Sequence, residues 1–295
     1  MNSFPSPRPS WTSRIPDFVQ LMRLDRPIGT LLLLWPTLWA IWISGAGKPD
    51  LKVTLIFTLG VLFMRSAGCV INDIADRKID GKVERTKNRP LATNKISLLE
   101  ALITFAILIS CAFVLVLFTN TFTIVLSLGA AAIACTYPLM KRYTYLPQVV
   151  LGAAFAWCIP MSFAAHMNEI PSYAWLIYIA TLIWTVAYDT MYAMVDRNDD
   201  LKIGVKSTAI LFGDNDRAMI GVLQGLTVLC LILVGNKLDF NGYYYASLGV
   251  VVILFLYQQL LIKRRSRKGC LKAFLNNNWV GMAVFVGILL HYITV

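Results

Sequence analysis

Two acidic segments of this chain repeat one pattern of charges, and together they carry residue types that bind divalent cations. The segments 76–82 and 196–202 both read D-R-x-x-D-x-K, and each follows the end of a long apolar stretch. Of the 16 acidic residues, 8 lie in or beside these segments, so carboxylates are scarce elsewhere. Carboxylate clusters that face each other bind divalent cations, which in turn hold phosphorylated substrates. The pattern therefore predicts an enzyme that acts on a diphosphate.

The first cluster comprises Asn72, Asp73, Asp76 and Asp80. If one helix continues through this segment, three of the four side chains share a face and Asp73 lies beside it. Like charges stacked in this way are unfavourable unless a cation neutralises them. Oxygen ligands without Cys or His suit Mg²⁺, which takes few protein ligands and completes its shell with water and substrate phosphates. We therefore expect Mg²⁺ at this cluster.

The second cluster again follows helical spacing and again lies on one face: Asp189, Tyr192, Asp196, Asp199 and Asp200. Solvated helix ends are the plain alternative, because acidic residues are ordinary near a membrane interface. Asp189, however, lies inside an apolar stretch, where a charge costs roughly 2.5–3.5 kcal/mol near the bilayer centre. Its position favours a functional site over a solvated helix end.

Basic residues near both clusters are candidates for binding an anionic substrate. Arg65 lies two helical turns before Asn72, where it contacts such a substrate or pairs with an aspartate. Lys82 follows the first cluster, and Lys202 and Lys206 follow the second. A departing diphosphate needs hydrogen-bond donors as well as metal. Further basic residues follow the first cluster, and sequence does not separate binding residues from topological charges among them: Arg77, Lys78, Arg85, Lys87 and Arg89.

Composition places the chain in the helical membrane class. It has 295 residues, of which 57% are hydrophobic and only 15% charged, against about 25% charged residues in a soluble domain. A bilayer span needs roughly 20 apolar residues, and alternating strands of the barrel type are absent. We predict an all-α polytopic fold, a single domain over 1–295, with nine transmembrane helices at about 28–46, 53–71, 99–118, 122–138, 146–165, 171–193, 218–235, 242–262 and 274–293.

The Lys and Arg residues behind the net charge of +11 are concentrated in alternate connections between the predicted helices. The amino-terminal segment and the connections after predicted helices 2, 4, 6 and 8 hold 23 of the 27 Lys and Arg residues. The positive-inside rule then predicts a cytoplasmic tail at 1–27, cytoplasmic motif loops at about 72–98 and 194–217, and a carboxyl terminus outside. This basic excess needs no nucleic-acid partner, although it attracts anionic lipid headgroups and substrates. A bacterial inner membrane is the simplest location.

Predicted helices 1–4 and 5–8 form two parallel four-helix units, with helix 9 added. Each unit carries one acidic cluster after its second helix, and sites in duplicated membrane folds tend to form where the halves meet. The expected site is therefore a central cavity open to the cytoplasm. The six cysteines form no C-x-x-C pair and indicate packing residues, not metal ligands or disulfides.

The two clusters resemble the aspartate motifs of the UbiA intramembrane prenyltransferases. The segment 72–80 matches N-D-x-x-D-x-x-x-D, and 189–200 matches D-x-x-Y-A-x-x-D-x-x-x-D, with no departure in either. The similarity extends from 24–29 to 276–278, nearly the whole chain. Supporting stretches lie at 33–39, 137–143, 146–148 and 204–209. Within the family, the resemblance is greatest to members that prenylate 4-hydroxybenzoate in ubiquinone biosynthesis.

The resemblance implies nine helices around a cavity, Mg²⁺ as cofactor, and a polyprenyl diphosphate and 4-hydroxybenzoate as substrates in the bilayer. It implies that Mg²⁺ is held by Asn72, Asp76, Asp196 and Asp200. Asp73, Asp80 and Asp189 would be further ligands or would orient the first ones. The ring carbon meta to the carboxylate would attack an allylic cation, and an aspartate of the second motif would act on the phenol or ring proton.

The same resemblance makes Arg142 the candidate for the substrate carboxylate; an interfacial anchor is the alternative for the stretch 141–143. Tyr137, Tyr188 and Tyr192 either shield the cation through their π faces or simply pack. The prenyl tail would leave the cavity laterally into lipid. The sequence leaves the oligomeric state open.

Three other functions compete with this one. A family member with another acceptor, such as a naphthoate, haem or chlorophyllide, would share the same motifs. A CDP-alcohol phosphotransferase would need its aspartates in one block, whereas here they are split between two distant helices. A secondary transporter with a duplicated bundle would place charges or broken helices near the bilayer midplane, whereas these carboxylates lie toward one cytoplasmic end.

Overall fold

A computed structural model describes residues 11–295, with the side chains of 11 and 12 outside the description. The tail predicted at 1–27 therefore lies partly outside the described residues. In chain order the helices are α1 Trp11–Leu21, α2 Ile28–Ser44, α3 Leu51–Asp76, α4 Leu98–Val116, α5 Thr121–Tyr143, α6 Pro147–Ala156, α7 Cys158–Met167, α8 Ser172–Ile203, α9 Thr208–Phe212, α10 Asp216–Lys237, α11 Gly242–Leu261 and α12 Arg267–Thr294. Short 3₁₀ helices cover Asp80–Lys82 and Gly213–Asn215.

The predicted all-α membrane fold is confirmed. The described residues contain eight segments long and apolar enough to cross a membrane, and α2 is a shorter apolar helix of 17 residues. These nine correspond to the nine predicted helices. The span 147–167 combines α6 and α7, and the span 208–237 combines α9 and α10. Helix α1 precedes the predicted bundle and was not expected.

Polar side chains fix several helix starts. Ser97 accepts a hydrogen bond from the backbone N–H of Glu100, whose carboxylate accepts one from the Ser97 backbone in return. This capping box satisfies donors that the first turn leaves free. Asn120 caps α5 in a similar way by accepting from the N–H of Thr123. Helix α8 ends at Ile203 and is capped by Gly204, where φ is +74°, a conformation that glycine adopts without steric cost.

Two predicted boundaries were wrong around the acidic clusters. Helix α3 continues past its predicted end at 71 to Asp76. Asp80 lies beyond this helix and does not continue its face, because it begins the 3₁₀ turn that follows. Helix α8 also continues past its predicted end, to Ile203, through a region predicted to be loop from 194 onward. The whole second cluster thus lies on one helix, as its spacing predicted.

The core lies between the two halves, around α8 and α12. Helix α8 packs against α6, α10 and α12, and the pairing of α3 with α4 has its counterpart in that of α8 with α10. Trp39 and Trp184 stack at a centroid distance of 5.4 Å inside this core. Most outward side chains of α4, α5 and α10 are apolar and exposed, as a lipid-facing surface requires. All six cysteines are free, as predicted.

Candidate active site

A cavity of about 420 Å³ lies where the end of α3 and the segment after it meet α8. Residues of both acidic clusters line it, so the structure brings together residues separated by more than a hundred positions. Asp199 of the second cluster is the exception, because it lies outside the cavity and is paired with Arg267 of α12 at 2.9 Å. The sequence-predicted lining residues are Arg65, Asn72, Asp73, Asp76, Asp80, Asp189, Tyr192, Asp196, Asp200 and Lys206.

Arginines from outside the motifs neutralise the first cluster. Asp73 is almost completely buried, and both of its oxygens accept hydrogen bonds from Nη2 of Arg23, at 3.0 and 2.9 Å. Nη1 of Arg89 lies 3.0 Å from Asp73 and 2.9 Å from Asp80, so one guanidinium bridges two carboxylates. Burial raises the pKa of Asp80, while the charge of Arg89 opposes that shift.

The second cluster is bonded to the segment that follows the first cluster. Nε of Arg85 donates to both oxygens of Asp196, at 3.1 and 2.9 Å, and Nη1 donates to the Tyr192 hydroxyl at 2.6 Å. The guanidinium also lies 4.6 Å from the centre of the Tyr192 ring. In the first cluster, Nζ of Lys141 from α5 lies 3.2 Å from Asp76. The cavity thus combines carboxylates with cations that a bound anion can recruit.

The oxygen donors fit a divalent metal shared with a phosphorylated ligand. Oδ1 of Asn72 is buried without a hydrogen-bond partner among the described residues, and it lies on the cavity wall. Within residues 11–295, no three His, Cys, Asp or Glu side chains converge closely enough to hold an ion by themselves. Mg²⁺ typically uses one or two carboxylates together with substrate phosphates and water. The residues present fit that mode of binding.

Arg65 lies at the inner end of the cavity. Its Nη1 donates to the sulfur of Cys69 at 2.8 Å, and its Nε is buried without a hydrogen-bond partner in the described part of the chain. A guanidinium with an unused donor inside a membrane helix is costly and indicates an anionic ligand. Lys206 also lines the cavity, with Nζ 3.3 Å from the carbonyl oxygen of Tyr143 and over the Tyr145 ring.

Three predicted substrate residues, Lys82, Arg142 and Lys202, lie outside the cavity and are exposed. On α5 the preceding residue, Lys141, faces the cavity, and one helical step turns Arg142 about 100° away, where Nη2 donates to the carbonyl of Ala75 at 2.9 Å. Lys202 is two positions after Asp200, which places it on the opposite face of α8. Lys82 ends the 3₁₀ turn on its solvent side.

Five cations that line the cavity were not singled out from the sequence: Arg23, Arg26, Arg85, Arg89 and Lys141. Arg85 and Arg89 were among the basic residues after the first cluster, but nothing local separated them from their neighbours. Arg23 adopts a left-handed conformation, with φ of +57°, just after α1. Because α1 was not predicted, no sequence signal brought Arg23 to Asp73.

A second, apolar cavity of about 240 Å³ adjoins the first. It lies among α3, α4, α5 and the α6–α7 segment, and small and apolar side chains such as Gly60, Ala130 and Ala134 line it. Both cavities share the lining residues Arg65, Gly68, Tyr137, Leu151 and Phe155. The polar site therefore continues into an apolar groove between helices.

Comparison with known proteins identifies the arrangement. The sequence model of the UbiA prenyltransferase family matches residues 33–284. The chain belongs to the UbiA prenyltransferase family. Two curated relatives are named 4-hydroxybenzoate octaprenyltransferase. The relative from Hahella chejuensis is 61% identical and covers 98% of this chain and 96% of its own. The relative from Pseudomonas syringae pv. tomato is 59% identical and covers 94% and 93%.

Solved UbiA structures share the fold. A UbiA homologue from Aeropyrum pernix K1 superposes with a TM-score of 0.78 at 23% identity, over 88% of this chain and 97% of its own. A homologue from Archaeoglobus fulgidus, described as bound to GPP and Mg²⁺, gives a TM-score of 0.73 at 20% identity, over 95% of this chain and 100% of its own. The family membership and helical architecture predicted from the two aspartate motifs are thereby confirmed.

Proposed function

We propose that this chain transfers a polyprenyl group from a polyprenyl diphosphate to the ring carbon meta to the carboxylate of 4-hydroxybenzoate, in ubiquinone biosynthesis. The observation that carries the proposal is the single cavity in which both aspartate motifs meet cationic side chains and open into an apolar groove. Relatives around 60% identical over nearly the whole chain carry the name of that activity.

The polar end of the cavity receives the diphosphate. Asn72, Asp76, Asp196 and Asp200 would hold Mg²⁺, and Asp73, Asp80 and Asp189 would complete or orient this set. Bound Mg²⁺ would neutralise the charge of the leaving diphosphate. A bound diphosphate would accept hydrogen bonds from four cations that line the cavity beside these carboxylates: Arg23, Arg85, Arg89 and Lys141.

The apolar groove receives the prenyl tail. It starts at residues that also line the polar site and passes between helices, so the first isoprene unit lies beside the diphosphate while the rest of the tail extends toward lipid. Burial of each methylene contributes about 0.8 kcal/mol. A groove open to the bilayer binds tails of different length without measuring them.

The acceptor lies between Arg65 and α8. The buried, partly unpaired guanidinium of Arg65 binds the 4-hydroxybenzoate carboxylate, a role that the exposed Arg142 is badly placed to fill. The C–O bond of the allylic diphosphate breaks and diphosphate leaves with the electron pair. A ring carbon then forms the new C–C bond, and its proton passes to a carboxylate of the second motif, for which we propose Asp189.

The chain is an integral membrane protein, and we propose the bacterial inner membrane as its location. The basic connections lie on the same side as the cavity, so the amino terminus and the site face the cytoplasm and the carboxyl terminus faces the periplasm. Residues 1–295 act as a single domain. Exposed basic side chains at this surface favour anionic lipid, not nucleic acid.

The test is a product assay on purified membranes with 4-hydroxybenzoate, a polyprenyl diphosphate and Mg²⁺, read by mass spectrometry. Product should form with Mg²⁺ and disappear with EDTA. Asp76→Ala and Asp196→Ala should each lower turnover at least about a hundredfold. Asp214→Asn, an exposed carboxylate outside the cavity, is the matched control and should retain activity. Prenylation of a naphthoate instead of 4-hydroxybenzoate would contradict the proposed acceptor.

A further inference from the structure

The last helix contributes an aromatic side chain to the cavity. Phe274 of α12 is 8% exposed, and its ring stacks on Tyr192 at a centroid distance of 4.5 Å and an interplanar angle of 29°. Its other neighbour is Tyr188, with centroids 6.0 Å apart and the rings at 60°. All three rings line the cavity. Phe274 lies far from both motifs in sequence, and neither motif indicates it.

The rings of Tyr188, Tyr192 and Phe274 form an aromatic wall of the cavity. The buried amide of Asn277, one turn after Phe274, holds this wall in place. Asn277 is 1% exposed, and its Oδ1 accepts a hydrogen bond from the indole nitrogen of Trp184 at 2.9 Å. Trp184 in turn packs edge-on against Tyr188, with centroids 5.2 Å apart. The Nδ2 of Asn277 donates to the carbonyl of Ala273 at 3.0 Å. An unpaired amide or indole inside a bilayer is costly, so this connection fixes α12 against α8.

The two neighbouring asparagines bond other helices than Asn277 does, so a role specific to Asn277 can be told apart from general packing of α12. Asn278 accepts from the indole nitrogen of Trp35 on α2 at 2.9 Å, and Asn276 accepts from Gln258 on α11 at 3.0 Å. Three consecutive residues thus bond three different helices, because each step around a helix turns about 100°. Of the three, Asn277 alone bonds a side chain that contacts the cavity wall through Tyr188.

We propose that Phe274 is a catalytic residue whose ring, with those of Tyr188 and Tyr192, encloses the allylic cation. Asn277 is then the residue that positions this aromatic wall. This inference rests on the proposed prenyl transfer. The π faces attract the cation while it awaits the aromatic acceptor. The same rings exclude water, whose attack on the cation would release a proton and form the prenyl alcohol instead of the prenylated ring.

The test measures the fate of each prenyl diphosphate consumed. Phe274→Leu should raise the ratio of prenyl alcohol to prenylated 4-hydroxybenzoate about fivefold to tenfold, since it removes one cation–π partner and part of the water barrier. Phe274→Tyr keeps the ring and should restore a ratio close to that of the wild type. A leucine variant with reduced turnover but an unchanged ratio would overturn the proposal, because loss of packing alone slows both products equally.

Asn277→Leu and Asn278→Leu form the matched pair for the positioning role. Each removes one indole–amide bond of the same length between α12 and another helix. Asn277→Leu should raise the alcohol ratio and Asn278→Leu should not, with both variants brought to equal amounts of folded protein. Equal ratios in the two variants would overturn the role of Asn277.

The wild type separates this inference from the function on which it rests. Absence of Mg²⁺-dependent prenylated product from the wild type would remove the proposed function and this inference with it. Normal product from the wild type, with an unchanged alcohol ratio in Phe274→Leu, would overturn only the proposed role of the aromatic wall.

Discussion

At the scale of single residues, four aspartates of the site are paired with cations that the sequence did not assign to them: Asp73, Asp76, Asp80 and Asp196. Spacing sufficed to predict the aspartates, because a helical repeat is a local property. Their cations come from the turn after α1, from the segment after α3 and from α5, so these pairings depend on tertiary contacts. Lys141 and Arg142 show the limit of prediction from sequence, because one step along a helix decides which of two adjacent cations faces the cavity.

Arg65 gives the sharpest prediction at this scale. Arg65→Gln should raise the KM for 4-hydroxybenzoate at least about tenfold, because a buried charge-assisted hydrogen bond is lost. The KM for the polyprenyl diphosphate should change much less. Steady-state kinetics with each substrate varied in turn measure both constants.

Arg142→Gln is the control for Arg65→Gln, since Arg142 is exposed and donates to a backbone carbonyl. It should leave both KM values within about twofold. A large effect of Arg142→Gln on 4-hydroxybenzoate alone, with Arg65→Gln neutral, would transfer the carboxylate site to Arg142.

At the scale of elements, the length of the uncharged apolar runs predicted the nine spans but not the breaks within them. Predicted helix 5 divides at Trp157 into α6 and α7, and Pro160 accounts for the division because it lacks the N–H that would bond the carbonyl of Ala156. That signal was present in the sequence. The helical spacing of the second cluster indicated the continuation of α8 past the membrane boundary, but the polar composition of 194–203 also suited a loop.

A second prediction concerns the ion pairs of Asp216, which include one with Arg197 of α8. Asp216 at the start of α10 is fully buried and is paired with Arg265, at 2.8 Å, and with Arg197 of α8, at 3.4 Å. Asp216→Asn leaves both partners without their charge and should destabilise the protein by about 2–3 kcal/mol, toward the lower end because the arginines are partly exposed.

Thermal unfolding in detergent measures this effect, with Asp214→Asn as the exposed control two positions earlier. A midpoint for Asp216→Asn equal to that of the control would show that the ion pairs contribute nothing to stability.

At the scale of the whole molecule, the two halves meet at one end. We propose that the nine apolar segments of the described residues all cross the membrane, which would place the two termini on opposite sides. A periplasmic alkaline phosphatase fused after Val295 should be active, whereas a fusion in the connection between α3 and α4 should be inactive. Activity of the second fusion and not of the first would reverse the proposed orientation. This orientation could be predicted from the sequence, because the excess of Lys and Arg in alternate connections depends on composition and not on packing.

The central claim is that both aspartate motifs build one metal–diphosphate site. Mn²⁺ binding, measured by electron paramagnetic resonance with an unreactive prenyl thiolodiphosphate present, tests it in the wild type, Asp76→Asn, Asp196→Asn and the double variant. A shared site predicts that either single variant loses most of the affinity and that the double variant loses little more. Independent, additive losses, with each single variant retaining half of the bound Mn²⁺, would contradict the account.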